Sequence, residues 1–64
     1  MYVRIKELRE DKDLTQAQMA RMLGVSQATY SRYESGRLDI PTDVLIKIAR
    51  FHRVSTDYIL ELQN

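Results

Sequence analysis

The 64-residue chain has no cysteine, one histidine, one proline and two glycines. Without cysteine there are no disulfides and no thiolate metal sites, so the staples of small secreted domains are missing and a reducing cytosol is the expected setting. The lone histidine, His52, has no second His or Cys with which to complete a metal site, and a packing role is expected for it. A glycine-rich phosphate loop and a Ser/His/acid set are absent as well. No enzyme is expected, and no residue is nominated as catalytic. A chain this short leaves little room beyond its core for an effector pocket, so no cofactor is expected either. Uninterrupted apolar runs never exceed three residues. The opening MYVRIKELRE places charges where a signal peptide needs an apolar stretch, so neither secretion nor membrane insertion is expected.

What the chain does have is the composition of one folded domain over residues 1–64, 44% hydrophobic and 30% charged. At this length only about 60% of the unfolded surface is buried on folding, so the stability margin is thin. The net charge of +1 is weak, but it is unevenly spread. Charges in residues 1–14 cancel, whereas residues 15–37 carry Arg21, Arg32 and Arg37 against Glu34 alone. The positive excess lies in the middle third.

Strand signals are absent, and the apolar spacing is helical throughout. Ile5, Leu8, Arg9 and Lys12 share a face, predicting a first helix over roughly residues 2–12 with an arginine turned inward. In DLTQAQMARMLG, Thr15 and Gln18 form a capping box, and Leu14 with Met19 forms a hydrophobic staple, so a second helix starts there and closes at Gly24. Ser26 caps a third helix from about Gln27 to Ser35, stapled by Val25 and Tyr30 and closed by Gly36. A fourth begins near Thr42 after Pro41, turns Leu45, Ile48 and Ala49 inward and runs to about His52. The fifth begins at the Ser55 cap, is stapled by Val54 and Ile59, and includes Tyr58 and Leu62. The expected fold class is all-α, with five helices.

On a wheel advancing about 100° per residue, the third helix divides into two arcs. Thr29, Tyr30 and Tyr33 lie on one, most simply a core face. Gln27, Ala28, Ser31 and Arg32 lie on the other. These side chains suit a B-DNA major groove: Gln bonds adenine N6 and N7, Arg bonds guanine O6 and N7, and Ala meets a thymine methyl. An isolated helix with this arc could equally be a solvated surface. The unit around it, helix, tight turn at Gly24, helix, has the layout of a DNA-binding helix-turn-helix.

LTQAQMARMLGVSQATYSRYESGR resembles the phage-repressor and Cro-like, or XRE, helix-turn-helix family at Gln16, Ala20, Gly24, Ser26, Ser31, Arg32, Glu34 and Gly36. The likeness continues through IPTDVLIKIARF and VSTDYIL and so covers nearly the whole chain. It implies a five-helix, lambda-repressor-like DNA-binding domain with the helix-turn-helix at helices two and three. It further implies a bacterial or phage regulator that binds a double-stranded DNA operator. Matched position by position, Gln16 corresponds to a phosphate contact at a helix N-terminus. Gln27, Ala28 and Arg32 correspond to base-reading residues, with Thr29 and Ser31 flanking them. Ser35, Arg37 and Thr42 correspond to phosphate contacts in the loop between helices three and four, and turn or cap duty is compatible with that role. The inward Arg9 wants a fixed carboxylate, and Glu34 is the only acid between Leu14 and Leu38. The resemblance implies the same pair, a structural salt bridge between the first helix and the third.

The chain departs from the family pattern at three places. His52 stands where an apolar or aromatic residue is common, Arg53 where Gly, Asn or His is common, and Glu61 where glycine is frequent, so helix five is expected to run on. Ile59, Leu60 and Leu62 exceed what one small core needs, and a homodimer interface is expected there. The rival reading is a protein-interaction module of the same fold, an adaptor, antirepressor or antitoxin, working through helix five.

Overall fold

The computed structural model describes residues 3–61, which form α1 (Val3–Asp11), α2 (Gln16–Leu23), α3 (Gln27–Ser35), α4 (Thr42–His52) and α5 (Thr56–Leu60), with no strand among the described residues. Three of the connections repeat one device: a residue in the left-handed region, then an apolar residue, then a Ser or Thr that caps the next helix. Asp13-Leu14-Thr15, Gly24-Val25-Ser26 and Arg53-Val54-Ser55 follow it, with φ of 56°, 74° and 57° at the first position. In each, the apolar residue's N–H reaches back to a carbonyl near the end of the finished helix: Leu14 to Arg9 at 3.2 Å, Val25 to Ala20 at 3.0 Å and Val54 to Ala49 at 3.0 Å. The same three apolar side chains pack against the core. Each turn thus satisfies orphan carbonyls, pins an apolar side chain and opens the next helix within three residues.

The start signals match those legible in the sequence. Thr15 accepts from the Gln18 N–H at 3.1 Å while its own N–H donates to the Gln18 side chain at 2.8 Å, completing the capping box. Ser26 and Ser55 accept from Thr29 and Tyr58. Helix α5 corrects the expectation that it runs on. It stops at Leu60, with Glu61 in the left-handed region at φ 57° and its N–H turned back to Tyr58. A carboxylate side chain accepts this conformation at a cost of about 1–2 kcal/mol relative to glycine.

The core draws on every helix: Ile5 from α1, Met19, Ala20 and Leu23 from α2, Tyr30 and Tyr33 from α3, Val44, Ile48 and Ala49 from α4, and Ile59 from α5, with Ile40 entering from the α3–α4 loop. Helix α2 packs mainly on α3, and α1 rests on both α3 and α5. Tyr30 and Tyr33 meet edge to face with ring centroids 6.4 Å apart, a favoured aromatic geometry. Leu45, expected inside, is half-buried, and Val44 takes the deeper position. Lys12 lies past the end of α1 and is exposed, with its ammonium 5.3 Å from the centre of the Phe51 ring. His52 is buried, edge-on to Phe51, and neither ring nitrogen has a hydrogen-bond partner among the described residues. No helix among these residues is long and apolar enough to cross a membrane.

Candidate nucleic-acid interface

No pocket opens among the described residues, and the candidate site lies on an exposed helix face. Helix α3 provides it. Ser26, with φ −73° and ψ 157°, caps its start, and Gly36 at φ 80° ends it, fixing nine residues as a short rod. Tyr30 and Tyr33 hold one side of this rod in the core at 0% and 3% exposure. Gln27, Ala28 and Arg32 are consequently turned outward and exposed, while Ser31 and Thr29 at the borders of the arc are half-buried. The Thr29 hydroxyl oxygen accepts from Ser26 Oγ at 2.9 Å, so its orientation is tied to the helix cap.

The Arg9–Glu34 pair is present and nearly enclosed. Arg9 Nε donates to Glu34 Oε2 at 2.7 Å and Nη2 donates to Oε1 at 3.2 Å, with side chains only 11% and 5% exposed. Arg9 Nη1 donates further to the Leu14 carbonyl at 2.8 Å, so one guanidinium joins α1, the α1–α2 turn and α3. Burial alone would raise the Glu34 carboxyl, but the hydrogen bonds from Arg9 and Gln16, with the Tyr30 hydroxyl close by, outweigh it and hold the group below the ordinary carboxylate value. The bond to Glu34 likewise raises Arg9. Burial, with Glu34 alongside, pushes the Tyr30 hydroxyl upward. That hydroxyl sits near Glu34 without a bond of full hydrogen-bonding geometry.

Gln16 was legible as the opening residue of α2 but not as a partner of Glu34. Its Nε2 donates to Glu34 Oε1 at 3.0 Å, and the residue is half-buried. The spacing of Gln16, Met19, Ala20 and Leu23 already put Gln16 on one face of α2 with the core residues; the contact itself depends on α2 packing against α3, which turns that amide toward Glu34. At the far end of α3, Ser35 is exposed and its hydroxyl donates to the Arg32 carbonyl at 3.2 Å, a local turn duty. Arg37 and Thr42 are both exposed. Thr42 is the first residue of α4, behind Pro41 at the cap position, where no side chain caps the helix.

The surface around α5 differs from the sequence expectation. Ile59 is fully buried inside the protomer, so its side chain offers nothing to a second copy; its apolarity serves the single core. Leu60 is half-buried, and Leu62 lies outside the described residues. Next to Leu60, the Arg4 guanidinium stacks 4.2 Å from the centre of the Tyr58 ring and approaches Glu61 at 3.8 Å, fastening α1 to α5.

Comparison with known proteins places this architecture. A family model described as helix-turn-helix matches residues 5–59. The chain is 39% identical over 59 residues to the uncharacterized HTH-type transcriptional regulator YobD of Bacillus subtilis, covering 92% of this chain and 53% of the relative. It is 39% identical over 57 residues to the HTH-type transcriptional regulator ImmR of the same organism, covering 89% and 45%. Antitoxin PezA of Streptococcus pneumoniae is 41% identical over 51 residues, covering 80% and 32%. The chain therefore spans about half the length, or less, of these curated relatives. Five helices in this order, the second and third joined through Gly24, and a match over nearly the whole chain make it a member of the XRE-type helix-turn-helix family.

Proposed function

We propose that the chain is a sequence-specific double-stranded DNA-binding transcriptional regulator that reads the major groove with α3. The observation carrying this reading is the exposed Gln27, Ala28 and Arg32 on a helix whose other side is locked into the core. Nine residues of helix fit a groove about 12 Å wide, and the three side chains offer a bidentate amide, a methyl and a bidentate guanidinium to base edges. Thr29 and Ser31 flank these contacts. Gln16 at the start of α2, with Ser35 at the last position of α3 and Arg37 and Thr42 beyond it, would take phosphates on either side and set the register. Similarity to proteins named as transcriptional regulators supports the same reading.

The action expected of so small a binder is repression by occupancy, in the cytosol of a bacterium or on a phage genome. A homodimer would set two α3 helices about 34 Å apart on a near-palindromic operator. With Ile59 inside the core, Leu60 is the described residue of that predicted contact that has surface to contribute. A second reading, a partner-holding module such as an antitoxin, draws on the similarity to PezA.

Binding to random duplex across a salt series separates the DNA reading from a module that only holds a protein partner, because neutralising phosphates releases counterions and gives affinity a steep salt slope that a purely protein partner lacks. Selection from a random duplex pool should then return an enriched site. Absence of any salt-dependent duplex binding would sink the DNA reading.

A further inference from the structure

Three N–H groups converge on the Glu34 carboxylate from two other helices: Arg9 Nε and Nη2 from α1, and Gln16 Nε2 from α2. The arginine alone would account for a clasp between α1 and α3. The third donor needs its own explanation, because Gln16 stands at the first position of α2, where the proposed phosphate contact lies. From its contacts we infer that Glu34 is a positioning residue for the DNA backbone: it holds one Nε2–H of Gln16 and thereby aims the other at a phosphate.

The chemistry of the amide favours this division. A primary amide nitrogen carries two N–H bonds, so it can serve two acceptors at once, and facing a carboxylate only the NH2 end fits. A lysine at the same place would be drawn wholly to Glu34 as an ion pair, and a free glutamine would have to freeze its side-chain rotors on binding. Holding the amide beforehand removes part of that ordering cost. The arrangement brings a carboxylate close to where a phosphate would sit, which on its own would repel it. Arg9 offsets this by occupying the carboxylate with two N–H groups while it is nearly sealed from water. Arg9, Glu34 and Gln16 thus form a relay from α1 through α3 to the outer end of α2. The inference rests on the DNA-binding reading above and assigns Glu34 a role beyond fastening helices.

The test is a double-mutant cycle read by binding of the full chain to a labelled random-sequence duplex of about 20 base pairs, two helical turns, at low salt. Gln16→Ala is expected to weaken binding about tenfold in the wild-type background, as loss of one hydrogen bond to a charged group would. In an Arg9→Met/Glu34→Leu background the same change should cost less than about threefold, since the untethered amide has already lost its advantage. The apolar pair is chosen because replacing a buried ion pair with hydrophobic residues leaves no unpaired charge and tends to preserve the fold. If Gln16→Ala costs the same tenfold in both backgrounds, Glu34 is structural only and the inference falls while the DNA reading stands. If the wild type shows no salt-dependent duplex binding, that reading falls and takes the inference with it. Should the paired variant fail to fold by circular dichroism, side-chain amide NMR of the wild type decides. One Gln16 Nε2 proton should track the Glu34 titration in the free protein and the other should shift on adding duplex. Two protons that respond together, or not at all, overturn the inference.

Discussion

Helix α3 presents two sides built from the same nine residues, and they bear different loads. On the inner side Tyr30, Tyr33 and Glu34 are enclosed and joined to neighbouring helices. On the outer side Gln27, Ala28 and Arg32 are exposed, and the hydrogen bonds fixed on α3 side chains gather at its ends and inner edge. A short helix cannot hold itself in water, since nucleation is unfavourable and propagation too brief to recover the loss. The inner side therefore supplies nearly all the order that the outer side displays. Because the two sets of side chains alternate along one rod, a substitution can strike order or display separately. That separability is what makes the reading of the site testable.

The inner side should fail first and hardest. Arg9→Ala leaves the Glu34 carboxylate nearly sealed from water with its bidentate partner gone, and losing one member of a buried pair costs about 3–5 kcal/mol. Single domains have about 0.05–0.15 kcal/mol of stability per residue, so a loss of that size could consume most of what this chain possesses. Urea unfolding followed by circular dichroism measures it. A loss below about 1 kcal/mol would put Arg9–Glu34 among exposed pairs and erase the contrast between the two sides.

Arg32→Ala strikes the outer side. Its stability should stay within about 0.5 kcal/mol of wild type, as for a surface change away from caps and core. Affinity for a selected duplex should fall by about 1–3 kcal/mol, with base preference relaxed at one position. Gln16→Ala is the control, expected to weaken all sequences alike. If both variants keep the wild-type preference, α3 is not the reading element, however well its geometry suits a groove.

The division into faces was legible in advance because periodicity and caps are local. Thr15, Ser26 and Ser55 announced helix starts through their own side-chain chemistry, and Tyr30 sat at the staple position that turns a residue inward. Arg9 with Glu34 was legible by elimination, one inward cation and one acid within reach. The hidden features depend on how helices sit against each other. Gln16 meets Glu34 only because α2 packs on α3, and Ile59 is lost to a dimer because α5 drives it into the core rather than along the surface. Glu61 misled for another reason. The turn it makes is set by the backbone bonds closing α5, and a non-glycine residue can take that conformation at modest cost. Asp13 and Arg53 do the same, so the repeated apolar-then-Ser/Thr pattern after them was a better marker of these turns than glycine.

Acid should act on the enclosed side in two stages, and His52 governs the first. Its imidazole is buried at the end of α4 without a hydrogen-bond partner among the described residues, and burial followed by the charge of Lys12 lowers it from the ordinary 6.5. A group lowered in the native state takes up its proton more readily when the chain is unfolded. Stability is therefore undiminished above about pH 6.5 and declines as pH falls from there through the native value, by at most about 1.4 kcal/mol per pH unit for one proton. Glu34 contributes the second stage. Its carboxylate is held below the ordinary 4.5, so its stabilisation persists above that value and disappears as pH falls through the lowered one. His52→Leu removes the only histidine, and its unfolding midpoint should be flat between about pH 6.5 and 5 where the wild type slopes, while both decline together at lower pH. Equal slopes in that window would mean that His52 is protonated in the folded protein as easily as in the unfolded chain. The enclosed side would then be wetter at α4 than at Glu34, and the contrast with the outer face of α3 would hold only around the Arg9–Glu34 clasp.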